Sequence, residues 1–153
     1  MIIASLEAGA SGYGEVAQQI WELAELGYQE EKSTALLQGQ LQAAGFEIEA
    51  GVADIPTAFV ASYGQGEPVI GILAEFDALP GVSQDAVPYQ QERPGSTAGH
   101  ACGHHLFGTG STAAAIAVKE WLERTGKSGT IRLYGTPAEE GGAGKVYMVR
   151  AGL

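Results

Sequence analysis

Val16, Ile20, Leu23 and Ala24 recur at the three-and-four spacing of one helix face, which predicts a helix over residues 13–26 with Gly27 as its stop. Leu36, Leu37, Leu41 and Ala44 repeat the pattern over 33–44, ended by Gly45 where a left-handed C-cap is favoured. The period then shortens to two. Phe46, Ile48 and Ala50 alternate with Glu47 and Glu49, as in a half-buried strand near a sheet edge, and residues 57–63 predict a second strand. Over 68–76, Val69, Ile70, Ile72 and Leu73 follow one another so closely that a central strand buried on both faces is expected. Residues 81–99 carry Pro88, Pro94 and Gly95 without any period, a long loop expected to border a site. Ala113, Ala117 and Trp121 mark a helix over 109–124, followed by a short strand at 130–133 and a helix at 144–151.

Strands alternating with helices in the second half predict an α/β fold, layered helix–sheet–helix, with ligands expected at the carboxyl ends of the strands. No repeat, low-complexity tract or linker divides the chain, so residues 1–153 read as one unit.

Composition narrows the partners. Hydrophobic residues make up 45% and charged residues 17%, the profile of a chain with a core. Eight basic against 18 acidic residues give a net charge of −10, which argues against nucleic acid and anionic lipid as partners. The first residues lack a basic n-region and no run approaches the ~18 apolar residues of a membrane span, so a cytoplasmic protein is expected. Cys102 is the single cysteine, which excludes an intrachain disulfide.

The chemistry-bearing residues fall into three clusters. His100, His104 and His105, all the histidines of the chain, surround Cys102 in Gly99-His100-Ala101-Cys102-Gly103-His104-His105. Imidazole and thiolate are preferred ligands of zinc, and Gly103 permits the turn that brings a Cys-x-His pair onto one ion. The alternative is a set of solvent-exposed loop residues beside an ordinary thiol. Glu139 and Glu140 follow the 130–133 strand. In extended backbone they would point opposite ways, one to a metal and the other to a water whose proton it takes. They could equally be a solvated acidic turn at a helix amino terminus. Glu75 and Asp77 alternate at the exit of the 68–76 strand and can reach the same site, where Asp77 could fix a ligand imidazole's tautomer. Tyr134 and Lys145 lie nearby and read as packing and surface residues.

Taken together, Gly71-Ile72-Leu73-Ala74-Glu75-Phe76-Asp77-Ala78-Leu79-Pro80-Gly81, then Gly99-His100-Ala101-Cys102-Gly103-His104, then Pro137-Ala138-Glu139-Glu140 with the segment 144–152 resemble the M20 metallopeptidase family, in its aminobenzoyl-glutamate hydrolase-like branch. Leu26-Gly27-Tyr28-Gln29-Glu30-Glu31 is also similar to the family's amino-terminal signature. The resemblance implies a partial M20-type catalytic domain of the phosphorylase/hydrolase-like kind, its amino-terminal segment, with the lid domain absent. It implies Cys102, His104 and Glu140 as metal ligands, Glu139 as the general base and Asp77 as the residue orienting the metal site; His100 is not carried over as a ligand. Zinc or manganese, one or two ions, is the implied cofactor, with the second site incomplete because the family's further histidines lie beyond these three.

The implied reaction is hydrolysis of a carbon–nitrogen amide bond in a small acylated amino acid or aminobenzoyl-glutamate-like conjugate; a homodimer through the missing lid domain is left open. Against it stand a truncated, non-catalytic metal-binding domain that needs a downstream segment or partner, and a closed structural zinc site. His105 departs from the pattern, since relatives commonly carry Asp or Asn there.

Overall fold

The computed structural model describes residues 2–153. Two helices lead, α1 (Ile2–Leu23) and α2 (Glu31–Ala43), followed by the strands β1 (Glu47–Ala50), β2 (Phe59–Gln65) and β3 (Val69–Ala74). Two short strands, β4 (Leu79–Pro80) and β5 (Ala98–Gly99), bracket the long loop, and α3 (His104–Thr125), β6 (Gly129–Gly135) and α4 (Gly144–Arg150) complete the chain. The main sheet has the order β1-β2-β6-β3; β1 and β2 pair antiparallel, as do β2 and β6, whereas β3 and β6 are parallel. β4 and β5 form a separate antiparallel pair, Leu79 opposite Gly99.

One face of the sheet buries Phe59, Ala61, Ala74, Ile131 and Leu133 against Val16 and Ile20 of α1, Leu37 and Leu41 of α2, and Ala115 and Ile116 of α3. The other face packs Val60 with Val52, Ile55 and Met148 of α4. The architecture is therefore the expected α/β one, helices on both faces of a mixed sheet. Among the described residues no helix is long and apolar enough to cross a membrane.

Several expectations need correction. α1 starts at Ile2 and ends at Leu23, not at Leu26, because Ala24 adopts φ +43°, a left-handed value that no helix continues. Leu26 instead makes a parallel bridge with Ala78. β3 is an edge strand, not a central one, and Val69, Ile70 and Leu73 are 45%, 52% and 46% exposed. Its run of apolar residues resembles a doubly buried strand, but only Ile72 and Ala74 reach the main core, while its outer edge carries no partner strand among the described residues. α3 begins five residues earlier than the alanine-rich stretch suggests, so His104 opens a helix. β1 at the opposite edge and Gly45 at φ +92° after α2 follow the expectation.

Leu133 is fully buried at the middle of β6, facing α1, α2 and α3. Leu133→Ala is expected to lower the unfolding free energy by about 2–5 kcal/mol, measured by urea denaturation, with the spread set by how far the helices collapse into the cavity.

Candidate metal centre

The parallel pairing of β3 with β6 sets Ala74 beside Gly135, so both strands leave the sheet at the same place. Thr136 ties the two exits together: its N–H donates to the Ala74 carbonyl at 2.8 Å and its hydroxyl to the same oxygen at 3.1 Å. Glu75 and Asp77 follow one strand, Glu139 and Glu140 the other, at the carboxyl ends where the layered fold favours a site. The third wall is the amino end of α3. Gly103, at φ +79°, turns the chain so that His104 enters the helix pointing inward, with only 7% of its surface exposed.

His104 is the hub. Its Nδ1 lies 2.9 Å from Asp77 Oδ1 and 3.1 Å from the Asp77 carbonyl, two acceptors, so Nδ1 carries the proton and donates to Asp77. Its Nε2 lies 3.0 Å from Glu75 Oε2 and 3.9 Å from Glu139 Oε2. Glu140 Oε1 is 3.9 Å from Nδ1, and the Glu140 N–H donates to Asp77 Oδ2 at 2.9 Å. Asp77 is 1% exposed and thereby holds both the imidazole and the loop that carries Glu139 and Glu140.

Four carboxylates thus surround one imidazole, and the nearby cation is Lys145, whose Nζ pairs with Glu75 Oε1. The donor atoms of Glu75, His104 and Glu139 all lie within 4.8 Å of one another. Metal–ligand bonds of about 2.0–2.2 Å put two ligands of one ion roughly 3–3.5 Å apart, and the 3.0 Å between His104 Nε2 and Glu75 Oε2 lies at the short end of that range. With Nδ1 donating to Asp77, Nε2 is the nitrogen that faces Glu75 and Glu139 and is placed to bind a cation between them. Donor chemistry, spacing and unbalanced negative charge all fit a divalent ion.

The glutamate pair does not lie in extended backbone as expected: Ala138 has φ +55° and Glu139 begins a tight turn, so the two carboxyls reach opposite ends of the His104 ring from a bend. Cys102 is exposed in the turn before α3 and stands outside the Glu75–His104–Glu139 group. The Glu140 carboxylate as hydrogen-bond acceptor, with partial desolvation and the charges of Glu139 and Asp77, pushes its thiol above the ordinary range. A bound cation would reverse that direction by favouring the thiolate.

His100 points away from the carboxylates. Its Nε2 donates to the Ile20 carbonyl at 3.1 Å, and its ring packs 5.0 Å from that of His105. Burial first, and then the neighbouring His105, lower its pKa to about 4, so it is neutral and anchors this turn to α1. The 81–99 loop borders this side: Val82, Gln84 and Ala86 line a cavity of about 340 Å³ with His100 and Trp21. Glu75 and Lys145 are the residues that sequence reasoning left without a role here. The alternation of Glu75 with Asp77 was the available signal for the first; Lys145 on a helix gave none.

Matches to known proteins agree with this geometry. Residues 71–153 match the model of peptidase family M20/M25/M40. The chain belongs to this family. It is 50% identical to one of the subunits of p-aminobenzoyl-glutamate hydrolase from Escherichia coli over 151 residues, 97% of this chain and 31% of that one. It is 31% identical to a human Xaa-Arg dipeptidase, covering 96% of this chain and 34% of the relative. Among solved structures it superposes on a dinuclear metal-binding peptidase of the M20 family from Bacillus subtilis with a TM-score of 0.73 and 28% identity, over 95% of this chain and 40% of that one. The chain therefore spans about a third of the length of the curated relatives it matches.

Close approach of α3 to the end of β3 depends on Gly108, where an added Cβ would meet the Glu75 carbonyl oxygen at 2.5 Å and Leu37 Cδ1 at 3.1 Å; at Gly110 it would meet open space. Gly108→Ala should therefore destabilise the protein by about 1–3 kcal/mol, while Gly110→Ala should stabilise it by about 0.5–1 kcal/mol. Chemical denaturation of the two variants reads both signs.

Proposed function

We propose that residues 1–153 form the amino-terminal segment of a metallo-amidohydrolase catalytic domain that hydrolyses a carbon–nitrogen amide bond in an acylated amino acid or aminobenzoyl-glutamate-like conjugate. The observation that carries this reading is His104, held by Asp77 at one nitrogen and facing Glu75 and Glu139 with the other. The name of the E. coli relative, 50% identical over nearly the whole chain, supports the substrate class.

In this reading Cys102, His104 and Glu140 hold the ion, zinc or manganese, on the family resemblance alone, with Glu140 standing at the Nδ1 end of the ring, and Glu75 is the further donor that the geometry favours, 3.0 Å from Nε2. A divalent ion there would polarise the amide carbonyl and acidify water. Glu139 has the most exposed carboxyl of the cluster, 44%, and takes the proton from the attacking water. The same carboxyl then returns that proton to the departing amine. Asp77 keeps the His104 proton on Nδ1 and its lone pair on Nε2 throughout.

A second reading is a metal-binding segment that is not catalytic by itself and needs a downstream segment or partner; Cys102, which stands outside the Glu75–His104–Glu139 group, is the observation that favours it. In the first reading the chain alone hydrolyses the amide; in the second, activity appears only when a downstream segment or partner is added.

Elemental analysis should find zinc or manganese near stoichiometry in the purified chain, lost in the Cys102→Ser/His104→Ala double variant. Asp77→Asn should weaken metal binding about 10–100-fold. In whichever form hydrolyses aminobenzoyl-glutamate, Glu139→Ala should lower the rate about 10²–10⁴-fold with the metal retained. Metal absent from wild type and double variant alike would sink the metal-site reading.

A further inference from the structure

Among the described residues, Glu30 is the one acidic side chain placed fully inside the protein without a part in the carboxylate cluster; its exposure is 0%. Burial pushes its carboxyl above the ordinary carboxylate range in spite of backbone donors and the neighbouring Thr57 hydroxyl. An apolar side chain of similar size would fill the same space without that desolvation cost. What it could not do is accept a hydrogen bond, and Glu30 Oε1 accepts one from the Ala138 N–H at 2.8 Å.

That amide belongs to the residue immediately before Glu139. Ala138 is itself buried, 2% exposed, and held at φ +55°, a left-handed conformation that costs an alanine roughly 1–2 kcal/mol and persists only where its surroundings impose it. The surroundings come from the segment around Glu30. Gly27 lies so close that an added Cβ would sit 2.9 Å from the Ala138 methyl, and the Tyr28 hydroxyl donates to the Gly142 carbonyl at 2.5 Å. On the far side of Glu139, the Glu140 N–H is held by Asp77 Oδ2 at 2.9 Å. Two buried carboxylates therefore grip the amides flanking Glu139, one on each side.

We propose that Glu30 is a positioning residue which, through the Ala138 amide, sets the bend that aims the Glu139 and Glu140 carboxyls at His104. The proposal rests on the reading of that cluster as a metal centre, and it assigns the connection between α1 and α2, which lines a cavity with Asp77 and Glu140, a part in shaping the site.

The test compares wild type, Glu30→Gln, which keeps an acceptor oxygen, and Glu30→Met, which keeps only the volume. Amide hydrogen exchange is followed by NMR at Ala138 and Glu140, and Co²⁺ affinity by visible absorption. In wild type the Ala138 amide should exchange slowly. Glu30→Gln should preserve both that protection and the affinity. Glu30→Met should speed Ala138 exchange by on the order of tenfold or more and weaken Co²⁺ binding about 10–100-fold, with the exchange of β6 amides unchanged.

An Ala138 amide that exchanges in wild type as freely as an exposed loop overturns the proposal whether or not the variants fold. So does Glu30→Met with wild-type Co²⁺ affinity, or Glu30→Gln as impaired as Glu30→Met. Failure of the wild-type chain to take up Co²⁺ at all would count against the metal-centre reading instead, and the exchange measurement would still decide whether Glu30 holds the bend.

Discussion

The Asp77 carboxylate is the contact on which the arrangement depends. One oxygen accepts a hydrogen bond from His104 Nδ1–H and the other from the Glu140 N–H, so a single buried side chain joins three separate pieces of chain: the exit of β3, the start of α3 and the exit of β6. A carboxylate in that position is stabilised by hydrogen bonds to both of its oxygens, since an unmatched buried charge costs several kcal/mol. Both its donors come from residues of the cluster. Geometry and solvation are thus solved together: satisfying Asp77 is the same act as orienting His104 and closing the 138–140 turn.

The fold prepares this contact through the one parallel strand pair. Antiparallel neighbours would send their chain exits to opposite ends of the sheet, whereas β3 and β6 leave side by side, tied by Thr136 to Ala74. Gly135 is part of the same preparation, because a Cβ there would fall 2.0 Å from the Phe59 ring, so the strand can pass over that ring only as glycine. Gly108 does the same for α3 against Glu75. Core packing and site geometry are therefore one problem at the carboxyl end of the sheet.

Much of this was legible in the residues themselves. Alternation of Glu75 with Asp77, the Cys-x-His pair and the paired glutamates pointed to the three walls of the cluster, and the period changes placed the four α-helices and the strands of the main sheet in order, though not the short pair β4 and β5. What could not be read locally was set by tertiary partners. β3 looks like a central strand because its residues are apolar, but exposure depends on which strand lies beyond its edge, which no window of sequence reports. The glutamate pair looked extended because it follows a strand; its bend comes from Ala138 at φ +55°, a conformation alanine does not advertise and which Gly27 and Glu30 impose from more than a hundred residues away. Glu30 itself was visible only as part of the similarity of residues 26–31 to the family signature, with no chemistry attached.

Burial across the cluster orders its members by the freedom their roles need. The Asp77 side chain is 1% exposed, His104 9%, Glu75 16%, Glu140 18% and Glu139 44%. A group that fixes a tautomer must not exchange partners with water, and Asp77 is shielded accordingly. A base has to meet water, take a proton and release it, so it cannot be locked in the interior. Between these limits lie the donors suited to an ion, sheltered enough to be held and near enough to the opening for an ion to enter. The gradient runs in the direction that the proposed roles require, holding by Asp77 and proton transfer by Glu139, and exposure separates Glu139 from its neighbour Glu140.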